Sequence, residues 1–261
     1  MKKNSYDVTP KKHLGQHFLT DENIAREIVE SLITLPAVDH VLEIGPGMGA
    51  LTVFLTEHPI NLHLIEIDDA SVIYLEQHFP ILKNKIIKED FLTLDFSKLP
   101  DPIAIIGNFP YHISSQILFK VLDNREQVSV MVGMFQKEVA SRITSPPGGR
   151  EYGIPSVLLQ AWYDVEYLFS VDKKKFNPPP KVQSGVIRLI RNKRKDIGCD
   201  ELVFKRIVKQ AFNQRRKILR NSLKSQVNAA RLEQMPFSTL RPEQLSWQQF
   251  STLTNFINEG H

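Results

Sequence analysis

Asn108, Phe109, Pro110 and Tyr111 follow Gly107 and the apolar run 103–106. An apolar run bounded by Pro102 and Gly107 predicts a buried strand, so the tetrapeptide stands at its carboxyl end. Ligands of open α/β sheets bind there. An amide, a proline with no backbone donor and an aromatic ring in succession make a rigid acceptor arm beside a stacking face. Such an arm suits a flat base bearing an exocyclic amine. The amine's lone pair is delocalised into the ring, which makes it a poor nucleophile. Hydrogen bonds to the Asn108 side-chain carbonyl and the Pro110 main-chain carbonyl favour a more tetrahedral, more reactive nitrogen. The plain alternative is a tight turn, since Asn and Pro are ordinary turn formers and Tyr often caps a core.

The elements that must position this arm are legible on both sides of it. A helix opened by Thr20 or Asp21 carries Ile24, Ile28, Val29, Leu32 and Leu35 at helical spacing and stops at Pro36. Residues 40–44 predict a strand running into Gly45-Pro46-Gly47-Met48-Gly49-Ala50, then a helix over 51–57. Strands over 62–66 and 86–90 each end in an acid, Glu66 and Asp90. With the strand before Asn108 and a fifth over 129–135, the helical spacers imply right-handed βαβ units and a mainly parallel sheet. A helix over 136–143, a mobile loop over 145–150 and strands over 164–171 and 182–190 follow. With no room for a helix between them, the last two strands are expected to be antiparallel. From Asn192 the pattern turns helical: Val203, Phe204, Ile207, Val208, Ala211 and Phe212, then a capping box of Ser246 and Gln249 ahead of Phe250, Leu253, Phe256 and Ile257. The expected fold class is α/β, a Rossmann-like sheet with its last strand antiparallel in a domain 1–191, and a small helical domain 192–261.

Gly45, Gly47 and Ala50 satisfy a dinucleotide-binding fingerprint, and Glu66 stands near the distance at which an acid grips a ribose diol, so that half alone leaves NAD open. Asp90 can accept from an adenine amine, and Asn108 completes a rim of side chains at consecutive strand ends. No hydride-transfer constellation accompanies them. Together these features favour S-adenosyl-L-methionine.

With 261 residues, 42% of them hydrophobic, the chain can build one sizeable core and a small appendage. A single Cys199 excludes an internal disulfide framework and supplies no set of Cys ligands, so no metal is expected. Residues 1–12 are polar and basic, and no apolar run is long enough to cross a bilayer. A cytoplasmic monomer with no membrane partner is expected. The basic residues cluster at Lys2, Lys3, Lys11 and Lys12, at Lys173–Lys175 with Lys181, and between Arg191 and Lys224, where the acids are only Asp196, Asp200 and Glu201. Clustering of this kind points to a polyanion, the alternative being solvated helix faces.

Nearly the whole chain resembles the small-subunit (16S) ribosomal RNA adenine N6-dimethyltransferases of the KsgA type. The matching segments are Gly15-Gln16-His17-Phe18-Leu19, Glu43-Ile44-Gly45-Pro46-Gly47-Met48-Gly49-Ala50, Glu66-Ile67-Asp68, Glu89-Asp90, Asn108-Phe109-Pro110-Tyr111, the run from Phe176 through Pro178-Pro179-Pro180-Lys181 to Ser184, and Arg215-Arg216-Lys217 with Leu219-Arg220-Asn221-Ser222-Leu223. The last two are the most specific. Phe109 stands where Leu is commoner, His17 where Asn is common, and Ile154-Pro155 differs from the usual Arg-Leu.

The resemblance implies that His17, Leu19, Gly45, Gly47, Glu66, Asp90 and Asn108 contact S-adenosyl-L-methionine. It also implies that Asn108 and Pro110 hold the target amine, that Tyr111 and Phe176 sandwich the adenine, and that Lys181, Arg215, Arg216, Lys217 and Arg220 grip RNA phosphates. The implied reaction is direct methyl transfer, without a covalent enzyme intermediate. It gives N6,N6-dimethylation of two adjacent adenosines in the 3′-terminal hairpin loop of 16S rRNA, late in small-subunit biogenesis, with the small ribosomal subunit as partner and no DNA. A large-subunit rRNA methyltransferase of the antibiotic-resistance type shares the catalytic motifs, but the Arg-Arg-Lys to Asn-Ser-Leu run argues against it. A non-catalytic assembly factor on the same fold is opposed by the intact Asn108, Pro110, Tyr111, Glu66 and Asp90.

Overall fold

Short apolar runs alternating with amphipathic stretches produce the elements in a computed structural model that describes residues 8–36 and 38–259. Lys2 and Lys3 lie outside the described residues. The first elements are β1 (Phe18–Leu19), α1 (Glu22–Ile33), β2 (His40–Ile44), α2 (Thr52–Leu55), β3 (Asn61–Ile65), α3 (Asp69–His78) and β4 (Ile86–Ile87). Next come β5 (Ile103–Asn108), α4 (Ser114–Asp123), β6 (Val128–Gln136), α5 (Lys137–Thr144), α6 (Ile154–Gln160), β7 (Tyr163–Val171), β8 (Phe176–Asn177) and β9 (Ser184–Arg191). The chain ends in α7 (Glu201–Asn213), α8 (Leu219–Ser222), α9 (Ala229–Leu232) and α10 (Trp247–Asn258).

Two compact units result: Met1–Ala140 with Glu166–Arg191, and Ser141–Val165 with Asn192–His261. The second takes in residues 141–165, which the division at 191/192 assigns to the first. The reason is local packing: Val157, Leu158 and Leu159 of α6 are buried, and the buried Tyr152 ring packs 6.3 Å from that of Phe212. Within this unit α7 and α10 bury Phe204, Ile207, Val208, Phe250, Leu253 and Ile257. The capping box before α10 forms as expected, with Ser246 N–H donating to Gln249 Oε1 at 2.9 Å and Gln249 N–H to Ser246 Oγ at 3.3 Å.

In the sheet the strand order is β4-β3-β2-β5-β6-β9-β7. β2 runs parallel to β3 and β5, and β5 to β6, while β9 is antiparallel to β6. From β2 the chain steps outward to β3 and β4, then reverses to β5 and β6, so a crevice opens at the carboxyl ends of β2 and β5. Ile28, Val29 and Leu32 of α1 share one buried core with Val41, Leu64, Ile106 and Val132 of the sheet. Asp21 caps α1 by accepting from Ile24 N–H at 3.2 Å.

Two findings depart from expectation. The strand over 86–90 stops at Ile87, and Asp90 instead closes a turn by accepting from Leu92 N–H at 2.9 Å. Phe18–Leu19 also pairs antiparallel with Phe176–Asn177, in register Phe18 to Asn177 and Leu19 to Phe176.

Phe109 holds the end of β5 in place. Gly107 and Gly133 are register partners on β5 and β6, and a Cβ built on either would lie 2.5 Å and 2.1 Å, respectively, from the Phe109 ring. The ring therefore fills a slot that two missing side chains create. Gly133→Ala is expected to destabilise the protein by about 1–3 kcal/mol through overpacking, measured as a lower urea midpoint. A variant as stable as wild type would show that the slot has slack.

Candidate functional site

Gly45 and Gly47, after β2, and Asn108, at the end of β5, line one cavity of about 290 Å³ together with His17, Glu66, Asp90, Pro110 and Tyr111. Gly45 and Gly47 have φ of 65° and 56°, a region that favours glycine. At Gly47 a Cβ would also lie 2.7 Å from the Phe18 ring, so β1 packs directly on the loop backbone. Leu19 lines a neighbouring, more open cleft of about 550 Å³ that shares Phe18, Gly45 and Asn108 with the cavity. Phe176 lines neither. It is 4% exposed and packs in the core with Leu19, so the aromatic ring found against Tyr111 is that of His17, at 5.8 Å between centroids and 28° between planes.

Glu66 is heavily engaged. Oε1 accepts from the N–H groups of Ile67 and Asp68, both at 2.9 Å, and Oε2 accepts from Gly47 N–H at 3.1 Å. A carboxylate offers about four lone-pair positions, so one remains for a ribose hydroxyl rather than the two expected. Burial pushes the Glu66 pKa up, against those same backbone donors. Asp90 accepts from Leu92 N–H through Oδ1, and its Oδ2 is left open as an acceptor. Asn108 Nδ2 donates to the His17 main-chain oxygen at 2.8 Å, which fixes Oδ1 as the free acceptor. The Pro110 carbonyl accepts from Ile113 N–H at 3.2 Å and retains its second lone pair.

Residues to which the sequence assigned no anchoring role hold the segment that roofs this cavity. Lys11 ion-pairs with Asp68, whose side chain is fully buried, and Gln16 Nε2 donates to the same carboxylate at 3.4 Å. Burial works against the Asp68 carboxylate, but hydrogen bonds from Lys11, Ser71 and Gln16 outweigh it and hold its pKa below the ordinary range. At the other end Thr20 N–H and Oγ1 donate to the Lys175 carbonyl, and the Lys175 ammonium pairs with Asp21 at 2.5 Å. His17 Nδ1 donates to the Pro178 carbonyl at 2.7 Å. The Glu66-x-Asp68 spacing was the available signal for the first of these anchors.

The basic residues divide into two kinds. Lys181, Arg216 and Lys217 are exposed. Arg215 instead donates to the main-chain oxygens of Arg150 and Gly149, with its Nε 3.8 Å from the Glu243 carboxylate, and Arg220 pairs with Glu233. The 145–150 loop, expected to be mobile, is tied down by these bonds and by Gly148 N–H donating to the Glu243 carbonyl at 2.7 Å. Among the described residues no group of three or more His, Cys, Asp or Glu could hold a metal ion, and no helix is long and apolar enough to cross a membrane.

A parallel sheet closed by antiparallel β9, with a glycine loop after β2 and an acid after β3, defines a Rossmann-like S-adenosylmethionine-dependent methyltransferase. Residues 8–259 match the family described as ribosomal RNA adenine dimethylase, and the chain belongs to that family. It is 56% identical over 256 residues to a ribosomal RNA small subunit methyltransferase A of Parabacteroides distasonis, covering 97% of this chain and 96% of the relative. A protein of the same name from Cytophaga hutchinsonii is 53% identical over 254 residues, covering 96% and 98%. The fold superposes on a dimethyladenosine transferase from Plasmodium falciparum with TM-score 0.80, at 24% identity over 94% of this chain and 98% of that one. For the 23S rRNA methyltransferase ErmE the TM-score is 0.69, at 25% identity over 91% and 99%.

Glu43, buried beneath the glycine loop, accepts from Thr52 Oγ1 at 2.6 Å. Burial pushes its pKa from 4.5 to about 8, helped by the Glu66 charge and opposed by the Thr52 bond. The folded protein thus keeps a proton that the unfolded chain releases, and between those two pH values stability falls as pH rises. Thermal unfolding is expected to show this fall between pH 5 and 8, and Glu43→Gln, which keeps an acceptor for Thr52, is expected to flatten it. Parallel curves for the two proteins would assign the pH dependence to other groups.

Proposed function

We propose that this protein dimethylates N6 of two adjacent adenosines in the 3′-terminal hairpin loop of 16S rRNA, late in assembly of the small ribosomal subunit. The observation that carries the reading is the Asn108 amide, whose nitrogen is bound to the His17 carbonyl and whose oxygen is left as an acceptor in the same cavity as Glu66 and Asp90. The names of the close relatives support the same substrate. We place the protein in the cytoplasm as a monomer that needs neither metal nor DNA.

The pocket fits S-adenosyl-L-methionine: Glu66 has one open position for a ribose hydroxyl, Asp90 Oδ2 can accept from the adenine amine, and Gly45 and Gly47 allow close backbone approach. When bound, the cofactor supplies an electrophilic methyl group. Asn108 Oδ1 and the Pro110 carbonyl accept hydrogen bonds from the target amine, which has two N–H groups before the first transfer and one before the second; they draw its lone pair out of the ring and stabilise the positive charge on nitrogen until the surplus proton passes to solvent. Tyr111 offers a ring to a base that has left its own stack, an exchange worth roughly 1–3 kcal/mol. Phe176 acts from below, by packing with Leu19, rather than as the second ring of a sandwich. Arg216, Lys217 and Lys181 meet phosphates, while Arg215 braces the turn at residues 149–150.

Small subunits from a strain lacking the modification, incubated with methyl-labelled cofactor, are expected to yield dimethyladenosine near the RNA 3′ end. Asn108→Ala is expected to lower kcat by about 100-fold or more while subunit binding persists. Label in large-subunit RNA would instead indicate the resistance-type activity, and no label despite tight binding an assembly factor. Removing Arg216 and Lys217 together is expected to reduce the slope of log affinity against log salt by about 1–2. An unchanged slope would take them off the RNA interface.

A further inference from the structure

Ser184 opens β9, in register with Gln136 of β6, and is fully buried. A buried hydroxyl needs a partner, and Ser184 Oγ has one in the Tyr111 hydroxyl, 2.5 Å away. Tyr111 belongs to a single-turn helix, Tyr111–Ile113, that has no buried residue of its own. Its backbone alone therefore does little to fix the ring. Two torsions separate that backbone from the hydroxyl, and a bond at the far end restricts both.

We propose that Ser184 is a positioning residue: its hydroxyl tethers Tyr111 so that the ring plane is set before a target base arrives. The proposal rests on the base-stacking role of Tyr111 argued above. A ring held at backbone and hydroxyl alike presents one surface to the base, and the entropy of ordering it is lost on folding rather than on binding. If Ser184 only filled space, its hydroxyl would have no bearing on turnover.

The test measures kcat, KM and melting temperature on small subunits for Ser184→Ala, Tyr111→Phe, Tyr111→Ala and the double variant of Ser184→Ala with Tyr111→Phe. Each of the first two is expected to lower kcat about 3- to 10-fold, the worth of one hydrogen bond, with KM for the cofactor unchanged. The double variant is expected to lose no more than either single one, because the two substitutions break the same bond. Additive losses would overturn the proposal, as would a Tyr111→Phe protein as active as wild type. Should Ser184→Ala fail to fold, Tyr111→Phe breaks the tether from its half-buried end and decides the matter. An active Tyr111→Ala would remove the stacking role itself. An inactive Tyr111→Ala beside fully active Tyr111→Phe and Ser184→Ala would remove only the tether.

Discussion

Everything at the cavity depends on where the Phe109 ring is seated. Two neighbouring strands lack a side chain at register positions, Gly107 and Gly133, and the ring, 1% exposed and 5.2 Å from that of Phe135, fills the space. A buried aromatic group makes many weak contacts that collectively resist displacement. With the Phe109 ring held in this slot, the run Asn108 to Tyr111 is fixed along the cavity that it lines. The bulky residue of the motif thus sets the geometry of the residues on either side of it, to which a role in the chemistry is proposed. Phe in place of the commoner Leu is accommodated because both neighbours are glycine.

A second set of constraints acts from above. The segment from Lys11 to Leu19 is tied to Asp68 at one end and to the Phe176–Asn177 strand at the other, and between these anchors its backbone carbonyl at His17 orients the Asn108 amide. The proposed cofactor pocket and the proposed amine-holding arm therefore share one wall. Buried acids lie beneath it: Glu66 is satisfied mostly by backbone N–H groups and Glu43 by a single hydroxyl. Such acids are costly to bury unless they are paired or protonated.

How far the molecule could be read beforehand depended on the kind of signal. Apart from the short β4, the parallel strands, the α1 and α10 caps and the glycine loop are carried by local patterns of apolar spacing and capping residues, and they stand where those patterns put them. The two-residue strands β1 and β8 have no periodicity, so nothing local announced their pairing. Pro155 and Gly153 disguised α6, although a proline suits the first turn of a helix. Asn108, Pro110, Glu66 and Asp90 do converge, yet the lone-pair economy of Glu66 depends on three N–H groups whose directions only the folded loop defines. Phe176 was legible as an aromatic in a suggestive motif, but that its ring would be buried in the core with Leu19 was not. Arg215 and Arg220 read as phosphate ligands because their acidic partners, Glu243 and Glu233, come later in the chain, beyond the basic stretch.

The β1–β8 ribbon also bears on when the site comes into being. His17 and Pro178, which it brings into hydrogen-bond contact, are 161 residues apart in the chain. During synthesis the glycine loop, Glu66, Asp90 and Asn108 all leave the exit tunnel well before Pro178 does. The wall of the cavity that His17 contributes cannot close on a nascent chain until then. A methyltransferase whose proposed substrate is part of the ribosome is by this means kept incomplete through most of its own translation.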